Sequence, residues 1–442
     1  MLLLLLSLLL WHSQGLRWVS HISPSSGPLG SLRQSYIRGK SNELHSHDNA
    51  VIPDKVGAKS FHHIEFYCGD STTTYKRFMS GLGMNIIAKS DQSTGNTVHA
   101  SYCLESSQMK MLFSAPYNNL NSTKEGIIPG FHSDTATLFC QKHGLGVRAI
   151  AIEVDDVYTS YNTMIQNGGK SNLLPQCIRD SDGYIDIAEI FLYGDVVLRL
   201  INSKNYNGIF LPKFSPVSSS KMTSTYGIER FDHIVGNLWS LQPTTSLLKT
   251  MTGFHEFAEF VAEDVGTVDS GLNSVVLANT DEAVLLPLNE PTFGTKRKSQ
   301  IQTYLEQNNG EGVQHIALFT NDITHTLRKM KEIPGGFEFM EPQPKSYYEK
   351  LPAKLGSLLS SKQYQQIEEL GVLADKDQDD GVLLQVFTKP LGDRPTIFIE
   401  IIQRIGCMNN NGAQKPGCGG FGKGNFKDLF KSIEDYEKTL TI

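Results

Sequence analysis

The stretch FDHIVGNLWSLQPTTSLLKTMTGF, residues 231–254, decides the fold. It opens with an alternating apolar run, which predicts a strand. It then crosses polar residues and continues as an amphipathic helix. Three other segments repeat the pattern: FHHIEFYCGDSTTTYKRFMSGLGM from Phe61, GVRAIAIEVDDVYTSYNTMIQNGG from Gly146, and GVQHIALFTNDITHTLRKMKEI from Gly312. Aligned on their third or fourth residue, the marker positions are His63, Ala149, His233 and His315, spaced by 86, 84 and 82 residues. Such constancy implies tandem duplication of one module. β-rich stretches follow each helix, such as MNIIAKS and TVHASYCLES in the first copy. The predicted unit is therefore βαβββ, the class is α+β, and four units pair into two domains.

The copies are not equivalent. FDHIVGN predicts His233 on the strand face shared with Phe231 and Val235, and VQHIALF predicts His315 with Val313, Ala317 and Phe319. Near the end, TIFIEIIQ places Glu400 between Phe398 and Ile402. A carboxylate inside an apolar strand is costly unless a cation or hydrogen-bond donors satisfy it. A single strand histidine is an ordinary core residue. Two at matching repeat positions, with an inward Glu, make a facial triad that leaves positions open on an octahedral metal. The first two copies act as an internal control. There the same positions read His63, Ala149 and, in VVLRLI, Arg199, so one ligand is lost and another changes sign. That half is expected to keep the fold without the metal, with His62 and His63 as structural or surface residues.

Composition narrows the class further. The chain has 442 residues, 39% hydrophobic, 19% charged and a net charge of −6, which is unlike a disordered chain and argues against a nucleic-acid partner. Residues 1–42 hold no Asp or Glu, nine serines, and Arg17, Arg33, Arg38 and Lys40. Their leading apolar run is too short to span a bilayer, and the stretch after it reads as an organellar transit peptide. The assignment is a tail over 1–57, a metal-free domain over 58–205, a Pro- and Ser-bearing linker over 206–227, and a catalytic domain over 228–442. The six cysteines show no CxxC and are expected to be free thiols. GCGGFGKG at 417–424 nearly matches a phosphate loop, but Gly424 stands where Ser or Thr should follow Lys423, so the glycines are read as a sharp turn. The last helix, about 425–440, has an apolar stripe that fits either plain packing or a lid.

At FDHIVGN, GFHEFAEF, DSGLNSVVLAN, LLPLNEPTFGTKRKSQIQTYL, GVQHIAL, LLQVFTKPLGDRPTIFIEIIQR and GCGGFGKGNFKDLFKSIE, the sequence closely resembles the 4-hydroxyphenylpyruvate dioxygenase family of plants and algae. The match covers roughly residues 58–442. The resemblance implies the vicinal-oxygen-chelate fold with a C-terminal lid helix. It also implies Fe(II) on His233, His315 and Glu400, and 4-hydroxyphenylpyruvate with O2 as substrates. It implies a homodimer, and homogentisate that feeds tyrosine breakdown or quinone and tocopherol synthesis. Ser274, Asn289 and Gln300 match residues used around the substrate and its phenol end. Gln385, Phe387 and Phe398 match the pocket, and Phe421, Asn425 and Phe426 the base of the gate. Gln314 also matches a pocket position, although strict alternation beside His315 points it to the opposite face. The competing readings are 4-hydroxymandelate synthase, an extradiol ring-cleaving dioxygenase, and a non-catalytic small-molecule binder of the same fold.

Overall fold

The computed structural model describes residues 54–117, 126–218, 225–260, 271–294, 296–378, 380–409, 412 and 414–440, with the side chains of 426–430 left aside. The tail before residue 54, including its transit-peptide reading, lies outside the described residues.

The four copies fold as βαβββ units. The first is β1 (Ala58–Tyr67), a helix over Ser71–Leu82, β2 (Asn85–Ser90), β3 (His99–Ser106) and β4 (Met109–Pro116). The second is β5 (Gly146–Val154), a helix over Val157–Gln166, β6 (Ser171–Asp180), β7 (Gly183–Tyr193) and β8 (Val196–Asn202). A short strand, β9 (Ser215–Pro216), follows. The third is β10 (Ile228–Asn237), a helix over Leu241–Thr252, β11 (His255–Phe260), β12 (Leu272–Ala278) and β13 (Leu285–Pro291). The fourth is β14 (Gly312–Thr320), a helix over Ile323–Lys331, β15 (Leu373–Lys376), β16 (Val382–Phe387) and β17 (Phe398–Ile405). Between its helix and β15 the fourth copy inserts helices Lys345–Tyr348, Leu351–Leu355 and Ser361–Leu370.

Asp70, Asp156 and Asp322 cap their helices by accepting from Thr73, Thr159 and His325 amides. In the third copy Ser240 makes no such bond; Glu290 reaches across from β13 and accepts from the Leu241 amide at 2.8 Å.

The units pair into two sheets. One runs β6-β7-β8-β5-β1-β4-β3-β2-β9 and the other β11-β12-β13-β10-β14-β17-β16-β15. In each, two first strands pair antiparallel at the centre, β1 with β5 and β10 with β14, and a last strand lies parallel outside each of them. Ile64, Ile150, Ile234 and Ile316 are fully buried at equivalent places. Burial of such a side chain contributes roughly 1.5–3 kcal/mol, and all four sit in the one large apolar core.

Three readings change. Phe210, Leu211 and Phe214, inside the stretch read as linker, are buried against the first sheet, and Ser215–Pro216 pairs with β2. Cys407 and Cys418 form a disulfide, while Cys68, Cys103, Cys140 and Cys177 are free. The turn after β17 folds back on itself through Met408 and Gln414, which brings together two cysteines whose spacing carried no signal. Phe231 packs in the core against Phe61 and does not share the face of His233. The cause is a β-bulge: the register passes from Phe231↔Leu318 to His233↔Ala317, leaving Asp232 without an opposite partner.

Candidate metal centre

The bulges set the site. A second one lies between Val235↔His315 and Gly236↔Val313, and it skips Gln314. Each bulge turns two successive side chains toward the interior of the second sheet: Asp232 with His233, and Gln314 with His315. Alternation therefore fails for Gln314, which lines the cavity beside His315. On β17 alternation is unbroken, and Glu400 stands opposite Ala317, level with His233.

His233 Nε2 lies 3.2 Å and His315 Nε2 3.4 Å from Glu400 Oε2, and all three residues are buried. His233 Nδ1 faces Asp232 Oδ1 at 2.9 Å, and His315 Nδ1 faces Gln314 Oε1 at 2.9 Å. An oxygen acceptor at Nδ1 keeps the proton there and leaves the Nε2 lone pair free for a metal. Cis ligands of an octahedral ion at about 2.1 Å lie about 3 Å apart, so the donor set fits one divalent cation. Burial opposes ionisation of Glu400, yet hydrogen bonds and charge from the two imidazoles bring it down to about 2. Burial also lowers His315, whereas for His233 it is outweighed by Asp232 and Glu400, which raise it. Asp377 with Cys407 and Cys418 also gathers metal-ligating residue types, but its sulfurs are bonded to each other and offer no thiolate.

A cavity opens onto the triad. Ser274, Asn289, Gln300, Gln385, Phe387, Phe398 and Phe421 line it. Phe398 stacks on the His315 ring with centroids 4.9 Å apart, and Phe421 meets His233 edge-on at 5.2 Å. Asn289 Nδ2 donates to Asn237 Oδ1 at 3.2 Å and to Gln314 Oε1 at 3.5 Å, so a polar chain runs from the cavity wall to His315. Among the described residues Gln300 Oε1 is buried without a partner, a cost unless an occupant donates to it.

Asn425 does not line the cavity. It is buried behind Gln385, donating to Gln385 Oε1 at 3.4 Å and accepting from Tyr347 Oη at 3.0 Å. Phe426 opens the final helix, Phe426–Glu437, and its side chain lies outside the described residues. From that helix Ile433 reaches the cavity and packs with Phe387 and Phe398, so the helix covers the site. The loop before it carries left-handed glycines at 417, 419, 420 and 422, and a Cβ on Gly422 would meet Gln385 Oε1 at 2.3 Å.

The sequence reading missed Asp232, Arg404 and Asn237. Arg404 was within reach, because alternation from Phe398 and Glu400 leads to it. Its guanidinium pairs with both oxygens of Asp232, at 2.9 and 2.7 Å, in a fully buried pair. Burial opposes the charge on Asp232, but Arg404 and His233 hold its carboxyl well below the usual range.

No protein-family model matches the chain. Among curated proteins it is 55% identical over 397 residues to the 4-hydroxyphenylpyruvate dioxygenase of Daucus carota, covering 88% of this chain and 89% of that protein. It is 53% identical over 403 residues to the enzyme of that name from Arabidopsis thaliana, covering 88% and 90%. Among solved structures, a triple mutant of 4-hydroxymandelate synthase from Streptomyces coelicolor superposes with a TM-score of 0.69 at 22% identity, over 86% of this chain and 99% of that one, which shows the shared fold. Identity above half across nearly the whole described region settles the lineage: the chain belongs to the 4-hydroxyphenylpyruvate dioxygenase family.

Proposed function

We propose that the chain converts 4-hydroxyphenylpyruvate and O2 to homogentisate and CO2 with Fe(II) held by His233, His315 and Glu400. The carrying observation is a His-His-Glu cluster at the floor of an aromatic cavity in a chain of this family. The atoms balance: one oxygen atom enters the ring and the other the new carboxylate, as the 2-oxo acid loses its carboxyl carbon. Held by His233, His315 and Glu400, a ferrous ion would supply Lewis acidity toward the 2-oxo acid and the electrons that activate O2. A substrate that contains its own 2-oxo acid needs no second one.

The protein's share is placement and dryness. Phe387 and Phe398 would hold the aromatic ring, and with Phe421 and Ile433 they keep water from the reacting atoms. The buried Gln300 Oε1 would accept a hydrogen bond from the phenol hydroxyl, with Ser274 and Asn289 beside it. A ring without the hydroxyl would leave that acceptor unpaired, which gives specificity. Gln385, braced by Asn425, and Gln314 complete the polar wall.

The proposal includes a metal-free 58–205 domain, a catalytic 228–442 domain, organellar targeting by the tail, and a homodimer. Among the described residues no helix is long and apolar enough to cross a membrane. A mature N-terminus within 41–57 in cells supports import, and an intact Met1 contradicts it. Light scattering at twice the chain mass supports the dimer. Product analysis tests the reaction: homogentisate is expected, whereas 4-hydroxymandelate, ring-opened product or no turnover contradicts it.

A further inference from the structure

We infer that Asp232 and Arg404 are positioning residues that couple the metal ligand His233 to the glycine-rich loop closing the cavity. Metal binding and closure of that loop then support each other. The inference rests on the metal reading above. Asp232 is turned inward only by its bulge, and its Oδ1 meets both His233 Nδ1 and Arg404 Nη2. Arg404 Nη1 donates onward to the carbonyls of Cys418 and Gly420, at 2.5 and 2.7 Å. The guanidinium also sits 5.6 Å from the centre of the Phe421 ring, which itself packs on His233. The chain of contacts is therefore closed: ligand, carboxylate, guanidinium, loop, aromatic ring and ligand again.

The other half supplies the contrast. His62 occupies the bulge equivalent to Asp232, and Ser203 the place equivalent to Arg404. The half without the metal triad thus lacks the Asp–Arg link as well. The two metal histidines also differ. His315 is held by Gln314, a neutral amide within the cavity wall, while His233 is held by a carboxylate that Arg404 ties to the loop. An anionic partner at Nδ1 raises the basicity of a ligand imidazole and fixes its ring.

The test is titration of Co(II), a redox-stable stand-in for Fe(II), into chelator-stripped full-length protein. Calorimetry reports affinity, and amide hydrogen exchange reports residues 417–422. Co(II) is expected to slow exchange at 417–422 in the wild type. Asp232→Asn is expected to weaken Co(II) binding about 10–100-fold and to abolish that slowing. Arg404→Lys keeps the charge that balances Asp232 but loses the fork and the two carbonyl bonds. It is expected to speed exchange in the loop and weaken Co(II) about 5-fold or more, although it touches no ligand. Co(II) binding that leaves 417–422 unchanged in the wild type overturns the coupling, whatever the variants do. So does unaltered affinity in both variants. A wild type that binds no Co(II), like the Glu400→Gln control, overturns the metal reading itself.

Discussion

Two equivalent places in the molecule balance buried charge in opposite ways. In the first sheet, Arg199 stands where Glu400 stands in the second, level with Ala151 as Glu400 is level with Ala317. Its guanidinium donates to Glu65 at 2.6 Å, to Glu189 at 2.7 Å and to His63 at 2.9 Å, all fully buried. His62, half-buried, meets His63 through their Nδ1 atoms at 2.7 Å. Serines continue the network, with Ser114 donating to Glu65 and sharing a bond with Ser101. The first sheet therefore carries its cation covalently. The second sheet leaves Glu400 between the imidazoles of His233 and His315, with no Arg or Lys paired to it among the described residues. One duplicated frame thus gives a self-satisfied core in one sheet and a His-His-Glu cluster able to hold a metal in the other.

Removing the triad breaks the comparison most severely. His233→Ala and Glu400→Gln are each expected to cost more than the roughly 10–100-fold of an outer-shell change, reducing turnover to background. They should also abolish the rise in melting temperature on adding Fe(II). Retained turnover in either contradicts the assignment.

Arg199→Met tests the other half. It leaves Glu65 and Glu189 buried without their cation and is expected to destabilise the fold by about 3–5 kcal/mol in urea unfolding. Co(II) affinity of the folded variant should not change. Weakened Co(II) binding would show that the two charge clusters are not independent.

Gln300→Leu sharpens the account of the cavity. It is expected to raise KM for 4-hydroxyphenylpyruvate about 10-fold and to reduce discrimination against phenylpyruvate by a similar factor, as for one lost buried hydrogen bond. Equal losses for both substrates contradict a role at the phenol.

The smallest effect lies at the lid. Burial pushes Glu437 up to about 7 and the charge of Glu434 adds to the rise, while Arg297, 4.0 Å from Glu437 and 3.6 Å from Glu434, opposes it. A raised carboxyl binds its proton more tightly when the helix is docked. Its stabilisation is thus complete below the usual range near 4.5 and is lost as pH rises through about 7. Exchange in 431–440 should therefore quicken across that window in wild type, and the change should flatten in Glu437→Gln. An unchanged pH dependence in the variant contradicts this.

Much of this was legible in the sequence because the repeat is written in it. Alternation and period placed the βαβββ units, and on the unbroken strand β17 they placed Phe398 beside Glu400. Alternation failed at Phe231, Asp232 and Gln314, because a bulge adds a residue without changing composition. The Arg199 cluster was only half visible, as a ligand that had changed sign. Its partners Glu65 and Glu189 come from strands whose pairing no local pattern reveals. The Cys407–Cys418 bond was hidden for the same reason.

The role of His233, His315 and Glu400 in making the second sheet a catalyst for one substrate is read most directly by following O2 uptake and product when Fe(II)-loaded protein receives 4-hydroxyphenylpyruvate. Homogentisate and CO2 are expected one for one with O2 consumed, and none from the Glu400→Gln protein. O2 uptake without homogentisate, or homogentisate made equally well by the variant, would contradict that role.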